Sequence, residues 1–206
     1  MKRAISLILA LLFVCVAAAM AQEYPKYEAS VGYSLINAHP SISNFSSFNL
    51  NGGGGSFVYN ITPWIGVKAD FMGYTAGSGF KNQIQNLGYA GSVDGNLFTY
   101  MFGPQIKKHS GKFQPFGEAL FGAAHSNAYK KVFTAEGVLT GSGDNNAFAM
   151  QYGGGLDYAV NNHLQIRPVE VGYLYTGFSP NNSSYSGHQN NFKYAAGVYF
   201  TFGGTK

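Results

Sequence analysis

The sequence predicts an all-β fold, an eight-stranded antiparallel up-and-down transmembrane β-barrel, and three observations predict it. Apolar and polar residues alternate with period two in segment after segment, the pattern of a strand with one apolar face. The connections between these segments alternate between short and long, as in a meander with tight turns at one end. Charged residues make up only 11% of the 206, whereas 16% are aromatic and 28 are Gly. Soluble domains carry about 25% charge. The composition therefore excludes a disordered chain and argues against an ordinary soluble enzyme, whose surface needs more charge.

The first 21 residues read as a secretory signal. Lys2 and Arg3 precede an apolar run from Ile5 to Val16, and Ala19-Met20-Ala21 forms an A-x-A cleavage site before Gln22-Glu23. The run is too short for a spanning helix, which needs about 20 residues. The single cysteine, Cys15, follows bulky Phe13 and Val14, where lipoprotein signals carry small residues. It leaves with the signal, and no disulfide or thiolate chemistry remains. Residues 22–206 are then one barrel domain with eleven Lys and Arg against nine Asp and Glu, a net charge of +2. No basic stripe with stacking aromatics indicates a nucleic-acid partner.

The strands follow in order. Tyr27, Ala29, Val31, Tyr33 and Leu35 oppose Glu28, Ser30, Gly32 and Ser34. Phe48 to Asn60 alternates at both ends around Gly52-Gly53-Gly54-Gly55, a candidate bend. Val67, Ala69 and Phe71 alternate with Gly66, Lys68, Asp70 and Met72. Phe98, Tyr100, Phe102, Pro104 and Ile106 oppose Thr99, Met101, Gly103 and Gln105. In 113–124, Glu118 stands against Pro115, Ala119, Phe121 and Ala123. Phe148, Met150, Tyr152, Leu156 and Tyr158 oppose Gln151, Gly153, Gly155 and Asp157. The stretch 164–175 breaks phase at Arg167-Pro168, which reads as a bulge; Val169, Val171 and Tyr173 then face away from Glu170. The last strand sets Phe192, Tyr194, Ala196, Val198, Phe200 and Phe202 against Asn191, Lys193, Ala195, Gly197 and Thr201.

Short connections fall at 60–63, 108–111 and 161–163, and long ones at 38–47, 75–96, 126–146 and 176–189. No segment shows a helical stripe, so the long connections are expected to be Gly-, Ser- and Asn-rich mobile loops. Three points favour a membrane barrel over a soluble one. Isolated charges among Gly, Ser, Thr and Gln suit a narrow filled lumen. Aromatics gather toward strand ends at Tyr27, Tyr33, Tyr59, Trp64, Tyr74, Tyr173, Tyr175, Phe200 and Phe202, as interfacial girdles do. An export signal with short turns and long loops matches barrels whose short turns are periplasmic.

On Tyr59-Asn60-Ile61-Thr62-Pro63-Trp64, Phe102-Gly103-Pro104-Gln105, Gly153-Gly154-Gly155-Leu156-Asp157-Tyr158 and the alternating final strand, the chain resembles the OmpA-type, opacity-protein-like outer-membrane β-barrel domains of Gram-negative bacteria. The resemblance runs from Tyr27 to Phe202. It implies an integral protein of the cell envelope, of the porin-like family of small barrels, and no particular reaction. Two departures from the resemblance stand out: Phe202 is followed by Gly-Gly-Thr-Lys where a terminal aromatic is usual, and the peptidoglycan-binding domain of the larger members is not expected here.

The candidate site is a lumen charge network of Glu28, Lys68, Asp70, Glu118, Asp157, Arg167, Glu170 and Lys193. Buried charges need partners, so these are expected to pair and fill an interior about wide enough for its own side chains; a narrow ion path is the alternative. His39, His109, His125, His163 and His188 lie in turns or strand ends without metal-site spacing. His125-Ser126 invites comparison with lipid A deacylases, but neighbours on a strand point to opposite faces. No catalytic site, metal or cofactor is assigned. Lys107, Lys108, His109 and Lys112 read as solvated charges beside a short turn. The tripeptides at Asn44 and Asn182 match the glycosylation sequon without further support.

The expected function is that of a small, non-enzymatic, monomeric barrel that stabilises the outer membrane and presents loops outward. A loop-mediated adhesin or ligand-binding barrel is the next reading, then a porin-like channel, then a lipid A-modifying enzyme. Expected partners are outer-membrane lipid and lipopolysaccharide, with barrel-insertion machinery and periplasmic chaperones during biogenesis.

Overall fold

The computed structural model describes residues 24–40, 45–88, 94–135, 146–179 and 188–204. The predicted signal segment, the Asn44 and Asn182 sequon positions and the last two residues lie outside them. The described residues form eight strands: β1 (Tyr27–Ala38), β2 (Phe48–Asn60), β3 (Ile65–Ala76), β4 (Asn96–Lys107), β5 (Phe113–Ser126), β6 (Asn146–Ala159), β7 (Leu164–Thr176) and β8 (Gln189–Phe202). Each is antiparallel to its neighbour in sequence, and β8 closes on β1, so no sheet edge is left. Closure satisfies the backbone hydrogen bonds that lipid cannot. The strands are 12–14 residues long, more than the about 9–11 that a tilted crossing requires.

The period-two faces fall as the sequence indicates. Val31, Phe71, Phe102, Phe121 and Tyr194 stand on the outside, Phe102 being 62% exposed, while Lys68, Asp70, Glu118 and Lys193 are buried in the lumen. Two local features differ from expectation or sharpen it. β2 pairs with β1 and β3 through Gly52–Gly55 without a register shift, so no bulge interrupts the strand there. The glycines permit close approach: a Cβ on Gly54 would lie 2.0 Å from the Phe71 carbonyl oxygen. In β7 the register slips between Arg167 and Glu170. Pro168 has no N–H for the ladder, and the extra residue resets the phase so that Arg167 and Glu170 both point inward.

The short turns occupy 61–64, 108–112 and 160–163, within a residue of expectation. Thr62 Oγ1 accepts from the Trp64 and Ile65 amides at 3.2 and 2.9 Å, and Gly111 takes the φ of +79° that the β4–β5 turn requires. The long connections are a correction. Two contain helices, α1 (Ser78–Asn86) and α2 (Ala128–Ala135). Phe80 and Ile84 of α1 and Tyr129 and Val132 of α2 are buried at i, i+4 and i, i+3 spacing. Each helix is only two turns or so long, too short for its buried residues to stand out against the strand pattern.

These helices cap the long-loop end of the barrel. Phe48 and Phe80 meet at 4.8 Å between ring centroids, Phe45 joins them, and Tyr129 stacks on Phe178 at 5.0 Å. Beneath the cap lie Ile36, Leu50, Leu97 and Leu174, all fully buried. The interior is thus apolar under the long loops and polar toward the short turns.

Candidate functional site

The eight predicted lumen charges meet in one connected ladder, and two unpredicted groups extend it. At the short-turn end, Glu28 of β1 accepts from Lys107 Nζ at 2.6 Å and lies 2.7 Å from His109 Nε2. Lys107 also reaches Asp157 at 2.7 Å and Gln165 at 2.6 Å. Arg167 grips Asp157 with two nitrogens and Glu170 with a third, at 2.7 Å. Lys193 continues from Glu170 at 3.0 Å toward Asp70 at 3.8 Å. Lys68 joins Asp70 at 3.4 Å and Glu118 at 3.0 Å, and Gln105 and Gln151 also donate to Glu118. The ladder joins side chains from β1 and from β3 through β8, strands far apart in sequence.

The guanidinium of Arg167 has aromatic faces beside it. Its central carbon lies 3.5 Å from the Phe116 ring centroid and 4.0 Å from that of Tyr199, a favourable seat for a weakly hydrated planar cation. A small void of about 30 Å³ adjoins Asp70, Glu170 and Lys193, about the room that one water needs.

Three sequence assignments change. Lys107 and His109 are not solvated: Lys107 is 1% exposed, and the His109 side chain is 2% exposed. Lys107 lies in phase with Gln105, Gly103 and Met101 on the inner face of β4, a signal the sequence carried that its neighbour Lys108 obscured. Tyr74 is not an interfacial aromatic. It is 2% exposed, inside the barrel, with its hydroxyl 3.4 Å from Ser34 Oγ. Its phase with Lys68, Asp70 and Met72 outweighs its place near a strand end. Of the other girdle candidates, Tyr27, Tyr33, Tyr59, Trp64, Phe200 and Phe202 are exposed and Tyr173 and Tyr175 half-buried.

His125 Nδ1 contacts Asn146 Oδ1 at 2.8 Å, whereas Ser126 Oγ donates to Asn96 O at 2.7 Å and accepts from the Ala128 amide. The two side chains have separate partners on opposite faces, so no histidine–serine pair forms there.

A closed eight-stranded barrel with an apolar outer belt and a paired polar lumen is a transmembrane barrel. Residues 6–200 match the family model described as "Outer membrane protein beta-barrel domain", and the chain belongs to that family as an integral protein of the outer membrane. The fold is similar to the crystal structure of Neisserial surface protein A at 15% identity and a TM-score of 0.55, covering 86% of this chain and 97% of that one. It is also similar to the attachment invasion locus protein Ail of Yersinia pestis, at 16% identity, 85% and 99% coverage and a TM-score of 0.48. The N-terminal barrel of Pseudomonas aeruginosa OprF gives 14%, 88%, 100% and 0.47 in the same terms. No curated protein matches the sequence.

Proposed function

We propose that this chain is a non-enzymatic, monomeric barrel whose work is mechanical: it stabilises the outer membrane and holds its long loops at the cell surface. The observation that carries this reading is the doubly closed interior, filled by the ion-pair ladder below and sealed by the aromatic cap above. A water-filled pore needs neither. The chain's family is described as that of outer-membrane β-barrel domains, which is in keeping with this reading. In this reading the outer belt contacts lipid and lipopolysaccharide, and insertion machinery and periplasmic chaperones deliver the chain. Purified protein in planar bilayers is expected to give no steady porin-scale conductance. Large, stable single-channel steps from the unmodified protein would overturn the reading in favour of a channel.

A second reading, a surface-binding barrel, is favoured by one observation. The helices α1 and α2 are fastened to the cap by buried side chains, which gives the loops an ordered base from which to meet a partner. Whole-cell binding assays with the segments 77–95 and 127–145 replaced by short Gly-Ser turns separate the two. Unchanged binding leaves the mechanical role alone, and lost binding with the barrel intact assigns the loops to a partner.

A further inference from the structure

Both ring nitrogens of His109 face acceptors. Nδ1 lies 2.7 Å from the Pro63 carbonyl oxygen in the β2–β3 turn, and Nε2 lies 2.7 Å from Glu28 Oε1 on β1. Neither oxygen has a hydrogen to offer, because the first is a peptide carbonyl and the second belongs to a carboxylate that also takes Lys107 Nζ on Oε2. Each contact therefore needs an N–H from the ring, and an imidazole with two N–H groups is an imidazolium. Asn60 Nδ2 lies 3.2 Å from Nε2, but its two hydrogens have the nearer acceptors Pro25 O and Glu28 Oε1, both at 2.8 Å.

The charge count agrees with the geometry. Among the described residues, the ladder sets the carboxylates of Glu28, Asp70, Glu118, Asp157 and Glu170 against Lys68, Lys107, Arg167 and Lys193. A proton on His109, which meets Glu28 at 2.7 Å, would balance the set. Its ring lines a vestibule of about 630 Å³ at the short-turn mouth, together with Tyr24, Lys112, Gln114 and His163. Protons can therefore reach it although its side chain is buried. Facing it are Glu28 from β1, Lys107 from β4 through Glu28, and the Tyr24 ring at 6.4 Å from the N-terminal segment. Lys112 and His163 share the vestibule from the neighbouring turns.

We infer that His109 is a proton-binding site that fastens the short-turn mouth of the barrel. The imidazolium joins the β2–β3 turn and the β4–β5 turn to Glu28, where Asn60 holds the segment entering β1. Loss of the proton leaves one ring nitrogen as an acceptor facing an acceptor, and five carboxylates against four cations. The fastening is complete while the ring keeps both hydrogens and is released when one is lost. This goes beyond the mechanical role proposed above and makes the mouth responsive to the pH of the compartment it faces.

The test uses the mature chain in lipid nanodiscs with nitrogen-15-labelled histidine. The signals of the five histidines are assigned by elimination with Gln variants at His39, His125, His163 and His188. Trp64, the only tryptophan, sits in the same turn as Pro63 and reports the mouth by its emission. The expected result is that both His109 nitrogens carry hydrogen at the acid end and one becomes bare on raising the pH. Trp64 emission should change over the same interval, and His109→Gln should abolish that change while His163→Gln keeps it. A bare ring nitrogen on His109 at the acid end overturns the inference. So does a titration of His109 with no change at Trp64, or a Trp64 transition that survives in His109→Gln.

Discussion

Arg167 and Glu170 stand three residues apart on β7, and both point into the lumen, where Nη1 meets Oε2 at 2.7 Å. On a regular strand, residues three apart face opposite sides of the sheet. The bulge at Pro168 makes the contact possible. It also aims the other arm of Arg167 at Asp157, with Nε to Oδ1 at 2.6 Å and Nη2 to Oδ2 at 3.0 Å. One guanidinium thus holds two carboxylates from neighbouring strands.

The first prediction follows from that fork. Arg167→Met removes the cation and leaves Asp157 to Lys107 alone and Glu170 to Lys193 alone. Breaking a buried pair by removing one partner costs about 3–5 kcal/mol. Arg167→Lys keeps the charge but loses the bidentate grip and the seat between Phe116 and Tyr199, at a smaller cost of about 1.5–3 kcal/mol, the range for hydrogen bonds to charged groups. Urea unfolding in lipid vesicles should rank wild type above Lys above Met. Equal stability of the two variants would show that charge alone matters and the fork geometry does not.

A second prediction contrasts a buried cation with an exposed one. Lys193 lies 3.0 Å from Glu170 and is 2% exposed, whereas Lys81 lies 2.8 Å from Asp94 with both side chains largely in water. Similar distances conceal different dielectric surroundings. Lys193→Ala is expected to cost about 3–5 kcal/mol and Lys81→Ala no more than about 1 kcal/mol. The same unfolding assay measures both. A Lys193 variant as stable as wild type would mean that water fills the gap at no cost.

The strand faces were legible because lipid and lumen impose opposite chemistry on alternate residues, and the bulge showed itself as a break in phase at Arg167-Pro168. The ladder was legible as a set of charges, since isolated ionisable residues among small ones have only each other to meet. Lys107 and Tyr74 were misplaced because position near a strand end was weighed above phase, and phase was right in both. The partners within the ladder were not legible: Lys107 meets Glu28 from 79 residues away, a pairing set by barrel closure rather than by any local pattern. The cap escaped notice because helices of nine and eight residues carry little periodic signal, and the burial of Phe80 and Tyr129 depends on a barrel mouth that exists only after folding.

The third prediction tests the two faces of β8. Ala196 is exposed on the outer face, and Gly197 next to it points inward, where an added Cβ would lie 2.8 Å from the Val31 carbonyl oxygen. Ala196→Arg places a cation against lipid and should cost about 2–4 kcal/mol near the bilayer midplane. Gly197→Arg acts through backbone collision instead, so Gly197→Ala should already impair folding while Ala196→Gly should not. Folding yield into vesicles reads all of these. An Ala196→Arg barrel of unchanged stability would reverse the assignment of faces.

The last prediction concerns the cap and alkaline pH. Tyr129 on α2 is fully buried, and its hydroxyl donates to Asn191 Oδ1 at 3.0 Å. Burial pushes the phenol well above its ordinary range, because the phenolate would lose its hydration. An acid whose folded pKa is raised favours folding while it is neutral. That contribution is complete below the unfolded value of about 10 and declines as pH rises above it, toward the folded value. Docking of α2 should therefore weaken above about pH 10. Tyr129→Phe keeps the stack on Phe178 and removes the titrating group. Asn191 Oδ1 still accepts from the His39 amide at 3.1 Å, so the loss at neutral pH should be only about 0.5–1.5 kcal/mol. Tyr129→Ala empties the cap and should cost about 3–5 kcal/mol. Protease cleavage at Lys130-Lys131 in vesicles reports docking of the helix. Wild type should become sensitive on the alkaline side, Tyr129→Ala at every pH, and Tyr129→Phe should lack the part of the alkaline rise that comes from the phenol. If the alkaline rise is the same in Tyr129→Phe as in wild type, another group governs the cap and the buried phenol does not set its alkaline limit.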